Sequence, residues 1–99
     1  MIAVLHIHAQ QVSHDEAFIV GNRQGLLALR QAIDAALEGE QGKADAFVAD
    51  GEGFSVFVIM QPGDLGSLEW NAAAVPYTRS WAAENREDAV WPHSQVKKS

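Results

Sequence analysis

Residues 22–39, NRQGLLALRQAIDAALEG, have the apolar spacing of an amphipathic helix. The apolar side chains recur at steps of three and four residues and share one helix face: Leu26, Leu29, Ile33, Ala36 and Leu37. Asn22 can cap the first turn with its side-chain oxygen, and Gly39 can end the helix in a left-handed conformation. Gly25 costs about 1 kcal/mol relative to alanine in a helix interior. It indicates either a closely packed strand, which is the commoner reason, or a backbone that meets a ligand.

Two pairs of extended segments flank this helix. The pattern predicts strands over residues 2–8 and 17–20 before it, and over residues 45–50 and 54–61 after it. The turn Asp50-Gly51 between two apolar runs is typical of a hairpin. The order therefore predicts an α+β fold, in which a four-stranded, mainly antiparallel ββαββ sheet carries the long helix on one face. Leu5 and Ile7 are expected to face the core, and the nearly all-apolar last strand is expected to be covered on both faces.

The chain after Pro62 is rich in tryptophan and has a weaker pattern. Residues 65–70 are expected to form a loop or one short turn. Thr78 can cap a short helix over residues 79–87, with Trp81 as its buried anchor. We expect this segment to close the other face of the sheet, within a single domain over residues 1–92 and before a flexible tail at residues 93–99.

Composition and charge exclude several classes of function. The chain has 99 residues, no cysteine and a net charge of −6. A nucleic-acid-binding protein normally carries a basic stripe, so nucleic acid is not an expected partner. The lack of a disulfide framework favours a reducing cytoplasm. No apolar run is long enough to cross a bilayer and the N-terminus lacks a signal-peptide pattern, so we expect no membrane association.

Histidines near the N-terminus are candidate metal ligands. His6 and His8 alternate along a strand and project to the same face, and His14 follows in the next connection. The alternative is that the two strand histidines lie on a solvated sheet face, which is the commoner case for so weak a motif.

Two other stretches carry residues that could take part in catalysis or ligand binding, but each has a simpler explanation. Asp50 and Glu52 could act as a carboxylate pair or bind a cation, yet the turn lacks the ligand spacing of a calcium loop and a solvated turn is the favoured explanation. The helix start, residues 21–25, could hold an anion on its free N–H groups with Arg23, but ordinary helix capping explains it. No catalytic triad can be assembled, so the sequence predicts no catalytic residue and no cofactor.

Residues 18–60 resemble the small bacterial immunity proteins of polymorphic toxin systems. The resemblance is carried by FIVGNRQGLLALRQAIDAAL, a strand that turns through Gly-Asn into a Gly-Leu helix, and by the DGEGFSVFVI hairpin. It implies a cytoplasmic, acidic, non-catalytic protein that clamps a toxin domain. These motifs are structural, and the segment after Pro62 has no counterpart in the pattern.

The sequence thus favours a protein-binding module, most simply an immunity-type inhibitor. Acidic side chains would steer a basic partner and aromatic side chains would anchor it: Asp50, Glu52, Glu69, Trp70, Tyr77 and Trp81. The same aromatic residues would otherwise be core residues of a small domain. The alternatives are a metal-binding protein or metal-dependent enzyme that uses His6, His8 and His14, and a structural homodimer that pairs by a sheet edge or an uncovered face.

Overall fold

The computed structural model describes residues 2–79 and 87–96. The chain divides into two compact units: the helix unit, from residues 1–8 and 18–60, and the loop unit, from residues 9–17 and 61–99. The helix unit contains the strands β1 (Leu5–His8), β2 (Phe18–Gly21), β3 (Gln41–Phe47) and β4 (Gly53–Ile59), with the helix α1 (Arg23–Gly39) between β2 and β3. The loop unit contains the short helices α2 (Leu68–Ala72) and α3 (Pro92–Gln95).

The predicted α+β class is confirmed, but the single four-stranded sheet is not. The strands form two antiparallel pairs, β1 with β2 and β3 with β4. One parallel bridge between Val4 and Phe47 lies between the pairs, and the Phe47 N–H donates to the Ala3 carbonyl at 2.9 Å. The ladder goes no further because the chain turns at residues 48–52, directly after β3 ends.

The core of the helix unit is built from small residues at the contact between α1 and β3. Ala32 and Ala36 of α1 are buried against a β3 face that carries Ala44 and Ala46, and Leu5 is the one large side chain fully buried among the described residues. A Cβ atom at Gly42 would overlap the carbonyl oxygen of Ala32. Small side chains let the two backbones approach closely, so α1 lies directly along β3.

Gly25 is closely packed, as the sequence predicted. A Cβ atom there would overlap the carbonyl oxygen of Val4. The predicted cap is also confirmed, since Oδ1 of Asn22 accepts a hydrogen bond from the Gly25 N–H at 2.8 Å. The end of the helix differs by one residue: Gly39 stays helical, and Glu40 takes the left-handed conformation with φ 75° while its N–H donates to the Ala36 carbonyl.

The left-handed Glu40 turns the chain straight into β3, so this strand begins earlier than predicted. Side chains of β3 alternate: Gly42, Ala44 and Ala46 are buried, while Lys43 and Asp45 between them are exposed. Because the buried positions are glycine and alanine, the start of this strand has the composition of a polar loop. The expectation that β4 is covered on both faces is wrong. Its side chains alternate between half-buried and exposed, and Phe57 is 42% exposed.

The described part of the loop unit is held mainly by backbone hydrogen bonds and contains no buried side chain. Val90 and Ala73 form a parallel bridge, and the Thr78 and Arg79 N–H groups donate to the carbonyls of Gln10 and Gln11. The region predicted as a loop or turn contains α2, which Ser67 caps. Residues 93–95 belong to α3. The predicted helix over residues 79–87 and its anchor Trp81 fall largely outside the described residues.

Within residues 2–79 and 87–96, no helix combines the length and the apolar character needed to cross a membrane.

Candidate protein-binding surface

The β1–β2 hairpin exposes large apolar side chains on both of its faces. Ile7 and Ile19 are cross-strand partners on the face that also carries Leu5, and Phe18 and Val20 project from the opposite face beside the histidines. These four side chains are 45–58% exposed. Leu5 is buried by comparison. The other side chains are left exposed because α1 lies mainly along β3 and makes few contacts with β2. The prediction of a core role is therefore right for Leu5 and wrong for Ile7.

The outer edge of β2 is open. Among the described residues β2 pairs only with β1, so the N–H and C=O groups on its other side have no strand partner. An open edge flanked by apolar side chains can accept an added strand from another protein.

An acidic turn lies at the same end of the helix unit. The chain reverses between β3 and β4 at residues 48–52, where the Val48 N–H donates to the Glu52 carbonyl at 2.8 Å and Oδ1 of Asp50 accepts from the Glu52 N–H at 3.0 Å. Gly51 at the tip has φ 95°, the left-handed conformation that glycine tolerates. Both carboxylates are exposed, which confirms that the predicted Asp-Gly hairpin turn is solvated.

His6 connects the acidic turn to the apolar hairpin. Its Nε2 accepts a hydrogen bond from the Ala49 N–H at 2.9 Å. Since β1 runs parallel to the end of β3 at the Val4–Phe47 bridge, the turn follows alongside the outer half of β1. The exposed apolar residues on the two faces of the hairpin and the two carboxylates of the turn are together called the hairpin-end surface: Ile7, Phe18, Ile19, Val20, Asp50 and Glu52.

The predicted metal ligands are arranged differently from a metal site. The rings of His6 and His8 are 6.0 Å apart, nearly perpendicular to each other. The Nε2 of His6 is occupied by the Ala49 N–H, so that nitrogen has no free lone pair for a metal ion. His14 belongs to the loop unit. In the described ranges no cluster of three or more His, Cys, Asp or Glu side chains has the geometry to hold a metal ion.

The start of α1 is occupied by its own cap. Oδ1 of Asn22 accepts from the N–H groups of Gly25 and Val4, at 2.8 and 3.0 Å, and Nδ2 donates to the Ile2 carbonyl at 2.8 Å. This side chain therefore joins the helix start to the strand segment before β1. The capping interpretation is confirmed.

The other predicted contact residues lie in the loop unit or outside the described ranges. Glu69 and Trp70 are on α2, where the indole side chain is 46% exposed. Tyr77 is half-buried, and Trp81 falls outside the described residues. The turn that contains Asp50 and Glu52 is joined to the β1–β2 hairpin by the hydrogen bond between His6 and Ala49.

Sequence reasoning predicts the apolar residues of the hairpin only as strand residues. A signal for their exposure is the run AFIV, which is apolar at all four positions and so leaves no polar face for solvent.

Searches for similar proteins found no matching family model, no matching curated protein and no matching solved structure.

Proposed function

We propose that this protein is a non-catalytic protein-binding module that contacts its partner through the hairpin-end surface. The observation that carries the proposal is the exposure of Ile7, Phe18, Ile19 and Val20 beside an open strand edge. Covering such side chains is favourable: complete burial of an isoleucine or phenylalanine contributes about 1.5–3 kcal/mol, and these are roughly half exposed. A partner strand added to β2 would also satisfy the backbone groups at its open edge.

The charge of the surface suggests the kind of partner. Asp50 and Glu52 belong to the turn that the His6–Ala49 hydrogen bond joins to the hairpin, and the chain carries a net charge of −6. A partner with an apolar patch rimmed by Lys and Arg would complement this arrangement. Opposite charges at the rim chiefly accelerate association and fix orientation, and their effect decreases as salt screens them.

Within this class we propose an immunity-type inhibitor of a bacterial toxin domain that acts in the cytoplasm. The support is the resemblance over residues 18–60, which includes β2, α1 and the DGEGFSVFVI hairpin, together with the acidic character of the chain. Glu69 and Trp70 on α2 are exposed and are proposed as additional contacts from the loop unit. Tyr77 and Trp81 complete the set suggested by the sequence.

The experiment is affinity capture of partners from cells of the source organism, quantified by mass spectrometry. Wild type is compared with Ile19→Lys, which places a charge on the hairpin-end surface. The matched control is Leu65→Lys in the loop unit, because Leu65 is fully exposed and its replacement removes a similar apolar side chain elsewhere. The proposal predicts one dominant partner with a basic surface, retained by Leu65→Lys and lost by Ile19→Lys.

The captured partner also tests whether the protein is a toxin inhibitor. Its expression alone should stop bacterial growth, and co-expression of wild type, but not of Ile19→Lys, should restore growth. Equal recovery of the partner by wild type and Ile19→Lys would overturn the proposed surface. A partner that binds but has no toxicity would overturn the inhibitor assignment alone.

A further inference from the structure

One flank of α1 carries an apolar stripe that is about half exposed in the described part of the chain. Gly25, Ala32 and Ala36 are buried against the strands. The residue after each of these lies about 100° further around the helix. These next residues are Leu26, Ile33 and Leu37, which are 46%, 41% and 66% exposed.

A shallow open hollow lies in the first half of this stripe. It is lined by Arg23, Leu26, Leu27 and Arg30. Their positions are i, i+3, i+4 and i+7, the four positions that form a hole for one side chain of a facing helix in knobs-into-holes packing. The hollow therefore has the shape that accepts an apolar side chain from another helix.

The charges along α1 change sign at the middle of the helix. Arg23 and Arg30 lie in the first half, and Asp34 and Glu38 lie in the second half. All four are exposed. A copy of this helix laid against it in the antiparallel direction would meet each basic side chain with an acidic one, whereas a parallel copy would meet like charges.

We propose that α1 pairs with α1 of a second copy of this chain, antiparallel and across a two-fold axis. Leu37 of the second copy then enters the hollow between Arg23 and Arg30. That register places Asp34 of the second copy level with Arg30, so a single alignment of the two helices forms both the apolar and the charged contacts. The two-fold axis repeats both contacts, as an isologous interface requires.

The pairing is weak because its area is small, so the dimer is expected only at high protein concentration. A helix of 17 residues is about 25 Å long, and one helix face covers less than the roughly 800 Å² per partner of a standard stable interface. The proposed interface and the hairpin-end surface share no residue.

Sedimentation equilibrium over a range of concentrations up to about 1 mM measures the mass. Wild type is expected to rise from the monomer mass of 10.7 kDa towards twice that value. Leu37→Lys should remain monomeric, and Leu65→Lys, which alters an exposed apolar residue outside α1 and outside the hairpin-end surface, should behave like wild type. A wild type that stays monomeric throughout, or a Leu37→Lys variant that dimerises normally, would overturn the proposal.

A charge exchange tests the alignment itself. In a dimer of Arg30→Glu both charged contacts become acid against acid, and in a dimer of Asp34→Lys both become base against base. A mixture of the two variants restores an attractive pair at both contacts. Arg30 and Asp34 are also neighbours within one helix, but mixing leaves that internal contact unchanged.

The expected result is that each variant alone associates at least tenfold more weakly than wild type and that the mixture recovers mixed dimers. Native mass spectrometry distinguishes these from the two homodimers by mass, and circular dichroism verifies that each variant is folded. Failure of the mixture to form more dimer than either variant alone would overturn the antiparallel register.

Discussion

The Nε2 atom of His6 and the backbone N–H of Ala49 are 2.9 Å apart and form the hydrogen bond that links β1 to the turn after β3. The two residues are 43 positions apart in the chain. This contact joins the exposed hairpin to the acidic turn, whereas within the described residues the strand pairs themselves share only the bridge at Val4 and Phe47. Its loss should therefore affect both stability and partner binding.

His6→Ala is expected to lower the free energy of unfolding by about 1 kcal/mol, because the Ala49 N–H loses its acceptor. His8→Ala is the control, since His8 makes no side-chain hydrogen bond within the described part of the chain. Urea denaturation followed by circular dichroism measures both. Equal effects of the two substitutions would show that the hydrogen bond contributes nothing.

Asn22→Ala should destabilise the protein by about 2–3 kcal/mol, since it removes a helix cap and two further hydrogen bonds, to Val4 and Ile2. Asn22→Asp keeps both acceptor bonds, but it replaces the donor to the Ile2 carbonyl by a second oxygen that this carbonyl repels. Its loss of stability should be clearly smaller, helped by a negative charge at the helix start. Thermal unfolding of the two variants checks which loses more stability. A larger loss for Asn22→Asp than for Asn22→Ala would contradict the roles assigned to the Asn22 side chain.

Gly42→Ala should cost about 3 kcal/mol, because the added Cβ atom meets the backbone of Ala32, which cannot move without displacing α1. Gly39→Ala is the matched control in the last turn of α1. A Cβ atom there meets nothing within 4 Å, and alanine favours the helix by about 0.5 kcal/mol. The midpoint of chemical denaturation should therefore fall for Gly42→Ala and rise for Gly39→Ala. An unchanged midpoint for Gly42→Ala would contradict the close packing of α1 on β3.

Asp50→Asn with Glu52→Gln removes two charges and keeps side chains of nearly the same shape, including an acceptor for the Glu52 N–H. The association rate with the captured partner should fall several-fold at low salt, and the salt dependence should weaken. Asp15→Asn with Glu16→Gln removes the same charge from the loop unit and should change the rate less. Surface plasmon resonance at several salt concentrations measures the association rates of wild type and both variants. Equal decreases for the two variants would show that net charge alone sets the rate.

The local signals in the sequence were strong enough to predict α1, its Asn22 cap, the close packing at Gly25 and the turn at Gly51. Each depends on neighbouring residues. The start of β3 was missed because its outward side chains, such as Lys43, gave a loop-like composition to a strand whose inward positions are glycine and alanine. The hairpin-end surface was missed because exposure of Phe18 and Ile19 depends on where α1 lies, which no local pattern contains.

The most direct test of the proposed function is site-specific photo-crosslinking in cells of the source organism. A photoreactive phenylalanine analogue replaces Phe18, which is 55% exposed on the hairpin-end surface, and a second protein carries it at the fully exposed Leu65. The account predicts one prominent crosslink to a basic protein from position 18 and none to that protein from position 65. A crosslink of equal strength from both positions, or one from position 65 alone, would contradict the assignment of the β1–β2 hairpin as the binding surface.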